Sequence, residues 1–250
     1  MNFNLTVFRK SPATILIALA VVLLFLLAFW FGIAMVPEEK WGQDSNSAIG
    51  FAWANMGGLY FGILSPILVA AMSATLMGPE QKRGNINWIK SQPKGRKKLL
   101  IEKISILFSL ALVMGVLQFL ITLIYRYMSG HPEEPLSKLL PVYSLWTILG
   151  ILAVGCFYLW LSTYIDNFAG VLGAAVGLTI ATMGISIANQ LLAGTNGVEK
   201  LLPTSQIIAT SFARSPGESS AEAFFLSGVI ALLWMFLFVF LTSRKLSKKG

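Results

Sequence analysis

One cysteine and one histidine occur in 250 residues. A lone Cys156 excludes a disulfide within the chain, and the two residue types together are too few for a zinc cluster. Charge is equally scarce: Asp, Glu, Lys and Arg make up 12% of the chain against 56% apolar residues, with a mean hydropathy of +0.72. A soluble domain with a hydrated surface does not reach those values. No G-x-x-x-x-G-K-[ST] run is present, nor a Gly-rich turn between a strand and a helix, so the usual phosphate loop for binding and hydrolysing nucleotide is missing. Any uphill work done by this chain draws its energy from a partner.

What the sequence has in abundance is long apolar runs. Six of them, at approximately 13–36, 52–77, 100–125, 140–164, 169–193 and 222–243, approach or exceed the ~20 residues a helix needs to cross ~30 Å of hydrocarbon. They are continuous and lack period-two alternation, which implies helices and not barrel strands. The expected fold is an all-α integral membrane protein, one transmembrane domain over residues 1–250. Arg9 and Lys10 precede the first run as in a secretory signal, but the run is too long for such a signal's apolar core, so it reads as a retained helix. Cys156 falls in span four as a small residue facing lipid or a neighbouring helix.

No ionisable residue lies deep in a span. Glu102 and Lys103 stand at one edge of span three, Arg126 at the other, and Asp166 in the turn after span four. Proton relays, ion-coupled transport and intramembrane catalysis ordinarily need such groups. His131 with Glu133 and Glu134 is similar to the paired glutamates of intramembrane CAAX-type proteases, yet no further histidine exists to complete a metal site. The chain is therefore expected to be no enzyme, and to bind no metal or cofactor of its own.

Basic residues set the orientation. Lys40, Arg126, Lys138, Lys200 and Arg214 fall on one side of the six-span layout, and the remaining fourteen of the 19 Lys and Arg fall on the other. The richer side, with both termini, is expected to be cytoplasmic. The formal charge of +8 then reflects topology and attraction to anionic lipid headgroups before any nucleic acid.

Several segments outside and within the spans stand out. Phe3, Val7 and Phe8 ahead of Pro12 suggest a short interfacial helix that turns into the membrane at the proline, or else an ordinary frayed terminus. Between spans five and six, Ile207, Ile208 and Phe212 are spaced for one apolar helical face, which predicts a segment dipping into the outer leaflet or packing on the bundle instead of a plain exposed loop. Span five carries Gly170, Gly173, Gly177, Ala181, Gly184 and Ala188 in steps of three and four. Small side chains let helices approach closely in lipid, either inside one subunit or at a subunit interface or pathway wall. Span two has Gly57, Gly58 and Gly62, then Pro66, which removes a backbone hydrogen bond midway. With Asn55, Ser65 and Ser73 it is a candidate for lining a route, although kinks also occur without function.

The most distinctive stretch is residues 78–98, GPEQKRGNINWIKSQPKGRKK. Ile86, Trp88 and Ile89 form an apolar cluster over one or two helical turns, and Pro93 with Gly95 ends it before Arg96, Lys97 and Lys98. Alone, this reads as a lipid-anchoring surface helix with its Trp at headgroup level. The run Glu80, Gly84, Asn85, Trp88, Ser91, Pro93, Arg96, Lys98 and Lys103, however, resembles the loop after the second helix of ABC-2 type permeases, in particular the lantibiotic-immunity and bacitracin-resistance branch. Gln92 departs from that pattern, since relatives more often have an apolar residue there. The six spans, the large loop after span two and the long segment before span six resemble the same family.

That resemblance implies a permease subunit of an ATP-driven exporter in the bacterial plasma membrane. Glu80, Asn85, Ile86, Trp88, Ile89, Ser91, Pro93 and Arg96 would belong to a coupling helix seated on a separate cytoplasmic ABC ATPase, which would bind the ATP and Mg. Two permeases, identical or different, would pair through spans one and five, with Gly58, Gly62, Pro66, Gly170, Gly173, Gly177 and Gly184 at the interface or along the path. An antimicrobial peptide or other amphiphile would be the cargo. The alternative is a non-transporting membrane sensor or assembly partner that docks a cytoplasmic protein.

Overall fold

The computed structural model describes residues 12–36, 57–82, 95–128, 140–193, 201–210 and 221–247. Every regular element among them is helical. Helix α1 is Pro12–Ala34; a π-helical stretch, Gly57–Leu64, runs directly into α2, Ser65–Lys82; α3 is Gly95–Met128, α4 Leu140–Leu161 and α5 Phe168–Ala193. A 3-10 turn, Pro203–Ser205, leads into the short α6, Gln206–Thr210, and α7 is Ala221–Ser247. Six of these segments are long and apolar enough to cross a membrane, as the apolar runs predict.

The helix ends follow local chemistry. Pro12 opens α1 at a position whose N–H has no intrahelical partner in any residue, so the missing donor costs nothing there. Asn167 caps α5 by accepting a hydrogen bond from the Gly170 N–H through its side-chain oxygen. Helix α3 has 34 residues, about 51 Å at 1.5 Å per residue, and so outruns the hydrocarbon thickness. Its first turn holds Arg96, Lys97 and Lys98, which mark the basic end of the bundle, shared with the end of α2 and with Arg244 and Lys245 of α7.

Packing divides the spans into a core and a periphery. Helix α4 is central, touching α2, α3, α6 and α7, and residues 151–159 are all buried. Helices α1 and α5 lie outside and pack chiefly on α2 with its π stretch. They turn large apolar side chains outward, among them Leu16, Leu23 and Trp30 on α1 and Ile180, Ile187 and Leu191 on α5. In lipid such an outer surface carries no penalty, because the hydrocarbon tails are as apolar as leucine.

Buried hydroxyls in this core are satisfied mainly by their own helices. Ser73, Thr122, Ser162, Thr210 and Thr242 each donate to the carbonyl four residues earlier. An aromatic ladder of Trp234, Phe238, Phe157, Trp160 and Tyr164 fastens α7 to α4. Trp234 stacks on Phe238 at 5.2 Å, and Phe157 meets Phe238 edge-on at 5.0 Å. At the basic end the ladder closes with the Lys245 ammonium 4.2 Å from the centre of the Tyr164 ring.

Candidate functional site

The candidate site is the interior of the bundle around the π stretch and α2. Pro66 has no N–H to offer the Gly62 carbonyl, and its ring crowds the preceding turn. The chain answers by running residues 57–64 as a wider π-helix and tightening to an α-helix at Ser65. The disturbance expected at Pro66 is accompanied by a change of helix type just before it. Gly58 and Gly62 both lie within the π stretch, Gly62 is half-buried, and Ser65 and Pro66 are buried.

The π stretch turns two aromatic rings inward. Tyr60 and Phe61 are fully buried, and both meet Phe25 of α1, at 5.2 Å and 6.1 Å between ring centres. The Tyr60 hydroxyl donates to the Val21 carbonyl at 3.0 Å and stands 3.8 Å from the Met114 sulfur of α3. One side chain therefore links α1, the π stretch and α3. Nearer the basic end, Ser73 of α2 also donates to the Gly155 carbonyl of α4 at 3.1 Å. A β-carbon at Gly155 would stand 3.2 Å from Leu107 of α3 and 3.5 Å from Val69 of α2, so glycine lets three helices converge at that level.

The far end is closed by residues 201–210. Ile207 is completely buried, along with Gln206 and Thr210, so the segment expected to dip or to pack does pack on the bundle; Ile208 is half-buried and Phe212 lies outside the described residues. Three helices hold it. The Thr182 and Thr204 hydroxyls share a hydrogen bond of 2.6 Å to α5, and the Trp234 indole N–H of α7 donates to the Leu201 carbonyl at 2.9 Å. On α4, a β-carbon at Gly150 would press on the Thr210 hydroxyl and stand 2.6 Å from the Gln206 carbonyl oxygen. Only a glycine admits α6 so close.

Helix α5 has two distinct faces. Val171, Ala175 and Thr179 are buried against the bundle. At 100° per residue, Gly173, Gly177 and Gly184 lie on the opposite face. They are exposed, and a β-carbon at any of the three would meet nothing within 4 Å among the described residues. Gly170 differs from them: it belongs to the capped first turn, where an added β-carbon would meet Ile165 and Asn167.

Of the loop residues singled out from the sequence, Asn85, Ile86, Trp88, Ile89, Ser91 and Pro93 lie outside the described residues, as does the segment before Pro12. The backbone of Glu80 belongs to the last turns of α2 and that of Arg96 to the first turn of α3, so the loop springs from two helices ending together at the basic end. Sequence reasoning placed Lys103 at the edge of span three. In the structure it is buried, two turns inside α3, because the helix already begins at Gly95. It also passed over Gln118, the one amide in the apolar run 104–125, which is 1% exposed and has neither its oxygen nor its nitrogen hydrogen-bonded among the described residues. An amide inside such a run was the available signal.

Among the described residues no group of three His, Cys, Asp or Glu is placed to hold a metal. A family model for "ABC-2 family transporter protein" matches residues 8–184. No curated protein matches the chain.

Proposed function

Since the chain belongs to the ABC-2 family of transporter proteins, we propose that it is the membrane permease subunit of an ATP-driven exporter. The match over residues 8–184 carries this reading, because it spans the first four helices, most of α5 and the loop between α2 and α3. Membrane permeases of this family generally pair with an ATPase subunit.

The proposed division of labour is as follows. A separate cytoplasmic ABC ATPase binds ATP and Mg and performs the hydrolysis. The permease carries no catalytic step and transmits the ATPase's closure through a coupling helix at Asn85 to Pro93, flanked by Glu80 and Arg96, with Trp88 as its apolar anchor. The basic end faces the cytoplasm of a bacterial cell, consistent with the crowding of Lys and Arg there. A second permease, identical or different, packs on the open glycine face of α5, and α1 with its outward side chains joins that contact. The absence of neighbours at Gly173, Gly177 and Gly184 among the described residues supports this placement. The cargo is an amphiphile of the antimicrobial-peptide class, expelled for self-immunity or resistance, along a path near the π stretch and α5 by alternating closure.

The test is Trp88→Ala. Truncating a buried aromatic anchor at an interface costs about 2 kcal/mol or more, which is roughly a thirtyfold loss of affinity. The variant should insert normally into membranes while retaining far less ATPase subunit on purification. Equal retention of the ATPase would return Trp88 to a lipid-anchoring role.

A further inference from the structure

A few buried polar atoms in this bundle, among them the Tyr158 and Thr179 hydroxyls, lack a hydrogen-bond partner among the described residues, and Gln118 stands out because both of its polar atoms do. The hydroxyls of Ser73, Thr122 and Thr210 fold back onto their own helices, and the Tyr60 hydroxyl reaches the Val21 carbonyl. The Gln118 carboxamide has two donors and one acceptor. It is 1% exposed, and among the described residues neither the nitrogen nor the oxygen has a hydrogen-bond partner. Buried amides in that state are rare, because the whole desolvation cost stands uncompensated.

Its position is informative. Gln118 shares a face of α3 with Met114, which meets the Tyr60 hydroxyl of the π stretch, and with Gly115, where a β-carbon would stand 3.0 Å from the Ser144 carbonyl oxygen of α4. The amide therefore lies in the far half of the bundle, near the junction of α3, α4 and the π stretch. Ser144 and Thr147 of α4 are buried in the same half. The sequence at this level is uncharged: no Asp, Glu, Lys, Arg or His lies between Lys103 and Arg126 on α3, and Lys103, buried fifteen residues before Gln118, is about 22 Å away along the axis.

We propose that Gln118 lines a hydrated, uncharged hydrogen-bonding site inside the bundle, which receives a donor–acceptor group of the cargo, a peptide amide or a hydroxyl, as the interior opens. The cargo part of this inference rests on the permease reading above; the hydrated site does not. A carboxamide suits a peptide unit because each offers the other both a donor and an acceptor. An ion finds no counter-charge among the described residues at this level, whereas a neutral donor–acceptor group needs none.

The experiment is thiol modification in a Cys156→Ala background, on the transporter as purified in lipid, with and without ATP and vanadate. Gln118→Cys is compared with Leu110→Cys, buried on the same helix, and with Leu120→Cys on its exposed face. The neutral reagent hydroxyethyl methanethiosulfonate should modify position 118 at least tenfold faster than either control in at least one nucleotide state. It should also outpace the ethylammonium and ethylsulfonate reagents there. If position 118 is as slow as position 110 in both states, no aqueous site exists and the proposal falls. A cationic or anionic reagent outpacing the neutral one overturns its uncharged character. Where Gln118→Cys does not accumulate, Thr122→Cys, one turn away and buried, is the reporter under the same criteria. The nucleotide-free rates need no ATPase partner, and retention of an ATPase on purification is scored separately, so failure of the site and failure of the permease reading remain distinguishable.

Discussion

Replacing Gly150 with alanine adds one methyl group at the tightest described junction in the bundle. That carbon would stand 2.6 Å from the Gln206 carbonyl oxygen, well inside the 3.4 Å at which ordinary contact begins, and would also press on the Thr210 hydroxyl. The obstructing oxygen belongs to the backbone of α6, so relief requires the whole short helix to move. Overpacking of this kind costs about 1–3 kcal/mol. Alanine also gains up to ~1 kcal/mol in helix propensity over glycine, which would mask part of the loss. Gly173→Ala removes that ambiguity: it makes the same chemical change in α5, where the new β-carbon meets nothing within 4 Å among the described residues. The propensity gain cancels between the two, and Gly150→Ala should be the less stable variant by about 1–3 kcal/mol. Thermal unfolding of the purified chain in detergent, under conditions that keep it monomeric, measures the difference. A cysteine at Ile207, completely buried in the parent, should react with a polar maleimide in the Gly150→Ala background and resist it otherwise. Equal melting temperatures and an unreactive Ile207→Cys in both backgrounds would refute the claim that glycine at 150 is what seats α6.

Two further outcomes are expected. Gly173→Leu with Gly177→Leu, placed on the open face of α5, should leave the monomer's melting temperature nearly unchanged while reducing recovery of permease dimers and abolishing export; surviving dimers and export would remove that face from the interface. Cysteines at Gln81 and Gly250 in a Cys156→Ala background should resist an impermeant thiol reagent in intact cells while one at Ser219 reacts, and labelling of the first two from outside would invert the proposed orientation.

How much of this was legible in the sequence depends on which physical signal each feature leaves. Six spans follow from apolar length alone, since hydrocarbon thickness sets the count of residues required. Their edges do not: α3 starts at Gly95 and α2 continues through Pro79 to Lys82, because backbone hydrogen bonding does not stop where hydropathy falls. The division into central α2 and α4 and peripheral α1 and α5 was also hidden. A soluble helix advertises its buried face by alternating polarity, whereas a helix in lipid is apolar on both faces and only the size of its side chains differs. Span five shows the consequence, for its glycine stripe was visible while its direction, away from the bundle, was not. Pro66 signalled a disturbance in span two without revealing that the chain would absorb it as eight π-helical residues. The coupling segment was the reverse case: Trp88 and Pro93 were conspicuous in sequence and lie outside the described residues.

The central claim, that this chain is the membrane half of an ATP-driven machine, is tested most directly by purifying it with an affinity tag from its native membranes in a mild detergent and identifying what accompanies it. A nucleotide-binding ABC ATPase subunit in near-stoichiometric amount, lost from the Trp88→Ala form, is the outcome the account requires. Recovery of the intact six-span chain with no such ATPase, in several detergents and in lipid nanodiscs, would contradict it.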